Sequence, residues 1–119
     1  MGKKPDLGQQ WIIPESKERL DELIKENRQP LLIYKHSYNC ATCIFSKLNV
    51  EKLFGEYGNK TTFVFIDVIA QRPISNHVAE VTGVRHESPQ VLLIKEGEVI
   101  QHVSHGAITD TRMIKILKE

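Results

Sequence analysis

The segment from Leu31 to Cys43 reads LLIYKHSYNCATC and is the most informative part of the chain. It begins with an apolar run typical of a buried strand and ends in a C-x-x-C motif formed by Cys40 and Cys43, the two cysteines of the chain. A dithiol is therefore placed where a strand is followed by a helix. Two thiols at this spacing can meet across the first helical turn, and the helix N-terminus favours the thiolate. The motif predicts thiol–disulfide chemistry.

The two cysteines are predicted to have different roles. Cys40 should lie at the very start of the helix, where unpaired N–H groups polarise it, and so should be the nucleophile. Cys43 should lie one turn further in, better shielded, and so should resolve the intermediate. The residues between them, Ala41 and Thr42, carry no charge and leave the acidity of Cys40 and the reduction potential open.

Two alternatives stay open for the cysteines. Free cysteine is often an ordinary small core residue. His36, Cys40 and Cys43 could also supply three metal ligands. The histidines available as a fourth ligand are His77, His86, His102 and His105. Because a second C-x-x-C or a His-x-His cluster is missing, we expect no metal. We also expect no cofactor, because the dithiol itself would carry the redox chemistry.

Composition restricts the class of protein. A chain of 119 residues, 40% hydrophobic and 26% charged, has enough apolar material for one domain spanning 1–119. The net charge of +1 gives no argument for binding nucleic acid or an anionic membrane. The start of the chain lacks the apolar region of a signal peptide, and no long apolar stretch follows. We expect a cytoplasmic monomer, in which a close cysteine pair is more plausibly catalytic than structural.

Periodicity and turn residues predict the order of elements. Residues 1–10 are polar and predict a loosely ordered lead-in. Strands are predicted at 11–13, 31–35, 62–69, 90–95 and 98–103. Helices are predicted at 16–26, 41–57, 73–82 and 109–118. The 62–69 run is almost continuously apolar, which is typical of a strand in the middle of a sheet.

Apolar spacing also predicts the buried helix faces. In the helix at 41–57 the apolar face changes, and a kink or rotation near Asn49 would reconcile its two stripes. The first stripe is Ile44, Phe45 and Leu48, and the second is Val50, Leu53, Phe54 and Tyr57. Further residues predicted to face inward are Val78, Val81, Met113, Ile114 and Leu117.

The order β-α-β-α-β-α-β-β-α predicts the fold class. Right-handed crossovers make the first part a parallel α/β layer, and the late hairpin adds an antiparallel edge. The result is an α/β fold with a central mixed sheet and helices on both faces. This arrangement resembles thioredoxin.

Ser88-Pro89 at the head of the fourth strand is the second candidate for the site. In a thioredoxin-type layout this loop lies opposite the dithiol, and a cis bond would turn the Ser88 backbone toward a substrate segment. A trans bond on an edge strand is the alternative. His86 could adjust thiol ionisation or contact the substrate, or be an exposed loop residue. Gly106 could allow close approach of a bound chain, or be a plain turn glycine.

Three segments carry a resemblance to a known family: KHSYNC at 35–40, VRHESPQ at 84–90, and His105-Gly106. They resemble the bacillithiol-system YtxJ-type proteins, the monothiol bacilliredoxins, which are small cytosolic thioredoxin-like proteins. The resemblance extends from about Trp11 to the last helix. It implies that Cys40 is the nucleophile and that Ser88-Pro89 is the cis-proline pair.

Two departures from these patterns affect the expected mechanism. The family commonly reads T-C-P-I-S, whereas Cys43 replaces that serine and implies a dithiol variant able to close an internal disulfide. The chain also lacks the W-C-G-P-C of thioredoxin, and Tyr34 stands where thioredoxins carry a buried aspartate. These differences argue against efficient turnover by a thioredoxin reductase.

The expected function is reduction of mixed disulfides between proteins and a low-molecular-weight thiol such as bacillithiol. The small thiol would be a co-substrate, and the partners would be the modified proteins. Two alternatives are a general thioredoxin-like reductase or oxidase of protein disulfides, and a non-catalytic thiol-binding or metal-binding module.

Overall fold

The structure is a computed structural model that describes residues 10–26 and 28–118. The predicted lead-in at 1–10 therefore lies outside the described residues, apart from Gln10. The strands are β1 (Trp11–Ile12), β2 (Leu31–His36), β3 (Thr62–Asp67), β4 (Gln90–Lys95) and β5 (Glu98–Ser104). The helices are α1 (Lys17–Glu26), α2 (Ala41–Glu51), α3 (Phe54–Tyr57), α4 (Arg72–Thr82) and α5 (Asp110–Lys118), with a 3₁₀ turn at His105–Ala107.

The five strands form one mixed sheet in the order β1-β3-β2-β4-β5. The pairs β1–β3 and β2–β3 are parallel, and β2–β4 and β4–β5 are antiparallel, which confirms the predicted α/β fold class. The prediction that 62–69 is the middle strand is wrong, because β2 holds that position. Every residue of β2 is buried, and the residues from Leu31 to Lys35 pair with a strand on each side, whereas the outer neighbour of β3 is the two-residue β1.

The strand predicted at 62–69 is also shorter than expected. It ends at Asp67 because this carboxylate accepts hydrogen bonds from the backbone N–H groups of Ile69 and Ala70, each at 3.0 Å. An aspartate that bonds the backbone two or three residues ahead closes a turn rather than continuing a strand.

Alternation along β2 divides the core into two clusters. Leu32 and Tyr34 belong to the cluster that includes buried side chains of α2, α3 and α5. Leu31 and Ile33 belong to the cluster that includes side chains of α1 and α4. Because successive strand residues point to opposite faces, both faces of the sheet are covered.

The helix predicted at 41–57 is two helices, and the interruption lies at Lys52 and Leu53 rather than near Asn49. The Leu53 N–H donates to the Val50 carbonyl at 2.9 Å, a shorter-range bond than the α-helix uses. The Asn49 amide instead donates to the Ile108 carbonyl at 3.0 Å and so attaches α2 to the loop before α5. Val50 and Leu53 are buried, whereas the first stripe, Ile44, Phe45 and Leu48, is exposed to solvent.

Two other inward-facing predictions are wrong. Val81 is 47% exposed, because α4 buries a narrow stripe through Ile74 and Val78 against the sheet. In α5 the buried residues are Met113 and Ile116, so Ile114 points outward. Each helix is rotated slightly from the face that its apolar residues suggested.

The β2–β4 pairing brings the two halves of the candidate site together. Lys35 of β2 pairs with Gln90 of β4 in the antiparallel register. The cysteine motif follows the carboxyl end of β2, and Ser88-Pro89 precedes the amino end of β4. Because antiparallel neighbours run in opposite directions, both segments leave the sheet at the same edge.

Candidate active site

The dithiol lies at the amino end of α2, as its spacing predicted. Cys40 is the residue before the first helical turn, is partly exposed, and accepts a hydrogen bond at its carbonyl from the Cys43 N–H at 3.2 Å. Cys43 is fully buried. Hydrogen bonds from the thiol and the backbone N–H of Cys43 lower the pKa of Cys40. Burial is the main cause that raises the pKa of Cys43.

The loop before β4 contacts this dithiol. The Ser88 hydroxyl oxygen lies 3.9 Å from the Cys43 sulfur, and this contact opposes part of the pKa increase that burial causes. The Ser88–Pro89 peptide bond is cis. The structure thus brings Cys40 and Cys43, which follow β2, together with Ser88 and Pro89, which precede β4.

A third segment adjoins the proline loop. The backbone N–H of His105 donates to the Pro89 carbonyl at 2.9 Å, and its imidazole lies 3.6 Å from the carboxylate of Glu87. His105 has a φ of 56°, so the left-handed conformation in this loop belongs to a histidine. Gly106 follows with open space around the position of an added Cβ.

A tyrosine and a histidine lie beneath the dithiol on the α2 side of the sheet. The Tyr34 hydroxyl donates to the Cys43 carbonyl at 3.1 Å and lies 2.8 Å from His36 Nδ1. Because a hydroxyl has one hydrogen to donate, this arrangement requires His36 to donate from Nδ1 to the tyrosine oxygen. Burial raises the pKa of Tyr34 and lowers the pKa of His36 to about 4, so both side chains are neutral at pH 7.

His86 lies on the opposite face of the sheet from this pair. Its Nδ1 is 3.1 Å from Nζ of Lys35 and 3.5 Å from the hydroxyl of Ser75. Burial and the nearby Lys35 charge lower the pKa of His86. Lys35 was not recognised from the sequence, although strict alternation in a strand covered on both faces would have placed it inside.

The histidines considered as metal ligands lie on different segments of the fold. Within the described residues no group of three or more histidine, cysteine, aspartate or glutamate side chains is arranged to hold a metal ion. His36 is engaged with Tyr34, and His77 is 2.8 Å from the carboxylate of Asp21. His102 is exposed on β5.

Comparison with known proteins agrees with this geometry. A family model described as monothiol bacilliredoxin BrxC matches residues 14–113. The chain belongs to the monothiol bacilliredoxin family. Although the family is named for one thiol, this bacilliredoxin has Cys43 as a second, buried thiol. Within the described residues, no helix of this bacilliredoxin is long and apolar enough to span a membrane.

A curated relative gives a second comparison. Thioredoxin-like 3-1, chloroplastic, of Arabidopsis thaliana is 32% identical to this bacilliredoxin over 95 residues. The match covers 75% of this chain and 42% of that protein, so the chain spans less than half the length of this relative.

Solved structures share the fold. A structure described as having a thioredoxin fold superposes with a TM-score of 0.80 at 24% identity, over 94% of this chain and 97% of that one. Thioredoxin of Fasciola hepatica superposes with a TM-score of 0.72 at 19% identity, over 89% of this chain and 95% of that one. The bacilliredoxin therefore has a thioredoxin fold.

The opposite pKa shifts of the two thiols predict selective alkylation. At neutral pH, iodoacetamide should modify Cys40 well before Cys43, because the thiolate is the reactive species and Cys43 is also buried. The rate for Cys40 should rise with pH through a pKa below the usual thiol range. Peptide mass spectrometry after timed quenching measures both rates, with the unfolded protein in denaturant as the control. Equal rates in the folded protein, or faster modification of Cys43, would contradict this assignment.

Proposed function

We propose that this bacilliredoxin reduces mixed disulfides between proteins and a low-molecular-weight thiol such as bacillithiol, with Cys40 as the nucleophile and Cys43 as the resolving thiol. The observation that carries the proposal is the unequal environment of the two sulfurs within one helical turn. Cys40 is accessible and has a lowered pKa, whereas Cys43 is buried and has a raised pKa. Membership of the bacilliredoxin family supports the choice of small thiol.

In the first step the Cys40 thiolate attacks the mixed disulfide. A new disulfide forms between Cys40 and the small thiol while the bond to the protein substrate breaks, so the substrate leaves as a thiolate. A lowered pKa increases the fraction of Cys40 that is ready to attack at neutral pH.

In the second step Cys43 loses its proton and attacks the Cys40 sulfur. The small thiol leaves as a thiolate and an internal disulfide forms, so the dithiol has supplied two electrons to the mixed disulfide. The Ser88 hydroxyl, 3.9 Å from the Cys43 sulfur, can donate to the thiolate as it forms. A second small thiol could free Cys40 instead, which is the route open to a protein with one thiol.

We propose that the substrate segment lies along the cis-proline loop. Ser88 and Pro89 would present backbone for pairing, with Gly106 and its loop on the other side. The bond from the His105 N–H to the Pro89 carbonyl supports this arrangement, because it holds the two loops together. His86 would support this loop from the side of the sheet, because its imidazole ring contacts buried groups there.

We place this reaction in the cytoplasm, where small-thiol pools regenerate free thiols. The partners would be proteins that carry mixed disulfides, with the small thiol as co-substrate. Because both reacting sulfurs belong to one chain, a monomer is sufficient.

Transfer of the small thiol onto Cys40 tests the proposal. The reduced Cys43→Ser variant, mixed with a bacillithiolated protein, should gain the mass of one bacillithiol, because it has no second thiol to release the adduct. Intact-mass spectrometry with peptide mapping measures this gain, and Cys40→Ser is the control that should gain nothing. If Cys43→Ser takes no adduct while Cys40 still alkylates, the small-thiol assignment fails and reduction of protein disulfides takes its place.

An exposed apolar surface beside the dithiol supports a protein substrate. We call Tyr38, Ile44, Phe45 and Leu48 the α2 patch; all four side chains are largely exposed, and Phe45 is 68% exposed. Large aromatic and aliphatic side chains exposed together mark interaction sites in soluble proteins. The patch adjoins the cysteine motif, so the proposed occupant is the protein part of the mixed disulfide.

Phe45→Ser tests this contact. Partial burial of a phenylalanine is worth about 1.5 kcal/mol, so kcat/KM with a bacillithiolated protein should fall roughly tenfold. The rate with a small disulfide should stay unchanged, because it does not reach the patch. Val81→Ser, an exposed apolar residue on α4 across the sheet, is the matched control and should alter neither rate. Equal loss with both substrates would show that Phe45 affects the dithiol rather than docking.

A further inference from the structure

Lys35 is a fully buried lysine, with an exposure of 0%, and it is the residue before the last in the central strand β2. Lysine is almost never buried to this extent unless its ammonium group is paired, because removing the charge from water is costly. Burial lowers the pKa of Lys35 to about 8, so the side chain still carries its proton at neutral pH. The sulfur chemistry proposed for this site does not use this side chain.

The ammonium group of Lys35 contacts the loop that carries the cis-proline. Nζ of Lys35 lies 3.1 Å from Nδ1 of His86, which is 51 residues away in the sequence. An ammonium group can only donate, so Nδ1 must be the unprotonated nitrogen of a neutral imidazole. His86 stands two residues before Ser88, so this bond attaches the loop to β2.

A second bond closes the same loop. Gln90, the β4 residue that pairs with Lys35, donates through Nε2 to the Arg85 carbonyl at 2.9 Å. Its Oε1 is buried and lacks a hydrogen-bond partner among the described residues. Directly paired residues of antiparallel strands share a face, so this oxygen and the lysine ammonium lie on the same side of the sheet. The segment 85–90 is thus attached near its start by the bond from Lys35 to His86, and at its end by the pairing of Gln90 with β2.

Ser88 lies between these two attachments, on the segment that reaches the dithiol. Its hydroxyl is 3.9 Å from the Cys43 sulfur, close to the limit for a hydrogen bond to sulfur. A small shift of the loop would therefore lengthen or break this contact. The position of the Ser88 hydroxyl therefore depends on the contacts that attach the loop to β2.

We propose that Lys35 is a positioning residue: by donating to His86 it holds the loop at 85–89 so that Ser88 meets the sulfur of Cys43 during resolution. This inference rests on the proposed role of Cys43. Lys35 acts through His86 and the loop backbone, and touches neither the substrate nor the sulfurs.

Protonation of His86 should release the loop. A proton on Nδ1 removes the acceptor and places a second positive charge beside Lys35. The groups that face His86 are Lys35 and Arg72, which lower its pKa, Glu87, which raises it, and the neutral Ser75. The bond is therefore intact at neutral pH and is lost as the pH falls through the lowered His86 pKa. Deprotonation of Lys35 at alkaline pH leaves N–H groups that still donate.

The test uses DTNB, an aromatic disulfide, as the probe. Attack by Cys40 releases one thionitrobenzoate and leaves a mixed disulfide on Cys40. Attack by Cys43 on that sulfur then releases the second thionitrobenzoate and forms the internal disulfide. Stopped-flow absorbance records the two phases separately, so the resolving step is measured without bacillithiol.

Lys35→Met and His86→Leu should each slow the second phase about tenfold, because a hydrogen bond to a forming thiolate contributes about that much to the rate. The rate of the first phase should change much less. His86→Asn, whose amide oxygen can replace Nδ1 as the acceptor, should keep the parent rate at neutral pH. The double variant Lys35→Met/His86→Leu should be no slower than either single variant, because both remove the same attachment.

The pH dependence of the second-phase rate distinguishes a positioning role of Lys35 from a general effect on core packing. On acidification the second-phase rate of the parent should fall relative to that of His86→Asn, which does not titrate. Lys35→Met should show no such fall. Ile33→Ala, buried on the same face of β2, is the matched control and should lower stability without changing the ratio of the two phases.

Three results would overturn the inference. The first is a second-phase rate in Lys35→Met equal to that of the parent, and the second is equal slowing of both phases, as a general loss of stability would cause. The third is a ratio of the second-phase rates of the parent and His86→Asn that does not change with pH. The last comparison leaves Lys35 in place, so it decides the matter even if Lys35→Met folds poorly. Absence of a second phase in the parent itself would instead refute the role of Cys43.

Discussion

The antiparallel pairing of β2 with β4 is the constraint on which the site depends. Because the strands run in opposite directions, the dithiol that follows β2 and the proline loop that precedes β4 meet at one edge of the sheet. Lys35 opposite Gln90 is the last pair of this ladder. A register shift of one residue would exchange the faces of all the β2 side chains and would separate the thiols from Ser88.

The end of β2 supports the site from both faces of the sheet. On the α2 side, Tyr34 donates to the backbone of Cys43, and its phenol is neutral because burial raises its pKa. On the other side, Lys35 donates to His86 beneath the proline loop. Polar groups in a strand covered on both faces need partners, and here the partners come from the two segments that form the site.

The fold and the dithiol could be predicted from the sequence because they depend on local signals. Alternating and continuous apolar runs marked the strands, and the spacing of Cys40 and Cys43 located the active helix. The middle strand was misassigned because strand order depends on pairing, which composition does not encode. Val81 was placed inside because spacing fixes a helix face only to within about one residue. Alternation along β2 would have placed Lys35 inside, but local sequence does not show its contact with His86, which lies 51 residues away.

In the proposed mechanism Cys43 resolves, within the same chain, the adduct formed on Cys40. Product analysis after one turnover of the reduced parent protein with an equimolar bacillithiolated protein tests this step. Non-reducing peptide mapping and assay of free bacillithiol identify the products. We expect a Cys40–Cys43 disulfide together with one equivalent of free bacillithiol. Bacillithiol retained on Cys40, with Cys43 still a free thiol, would contradict it.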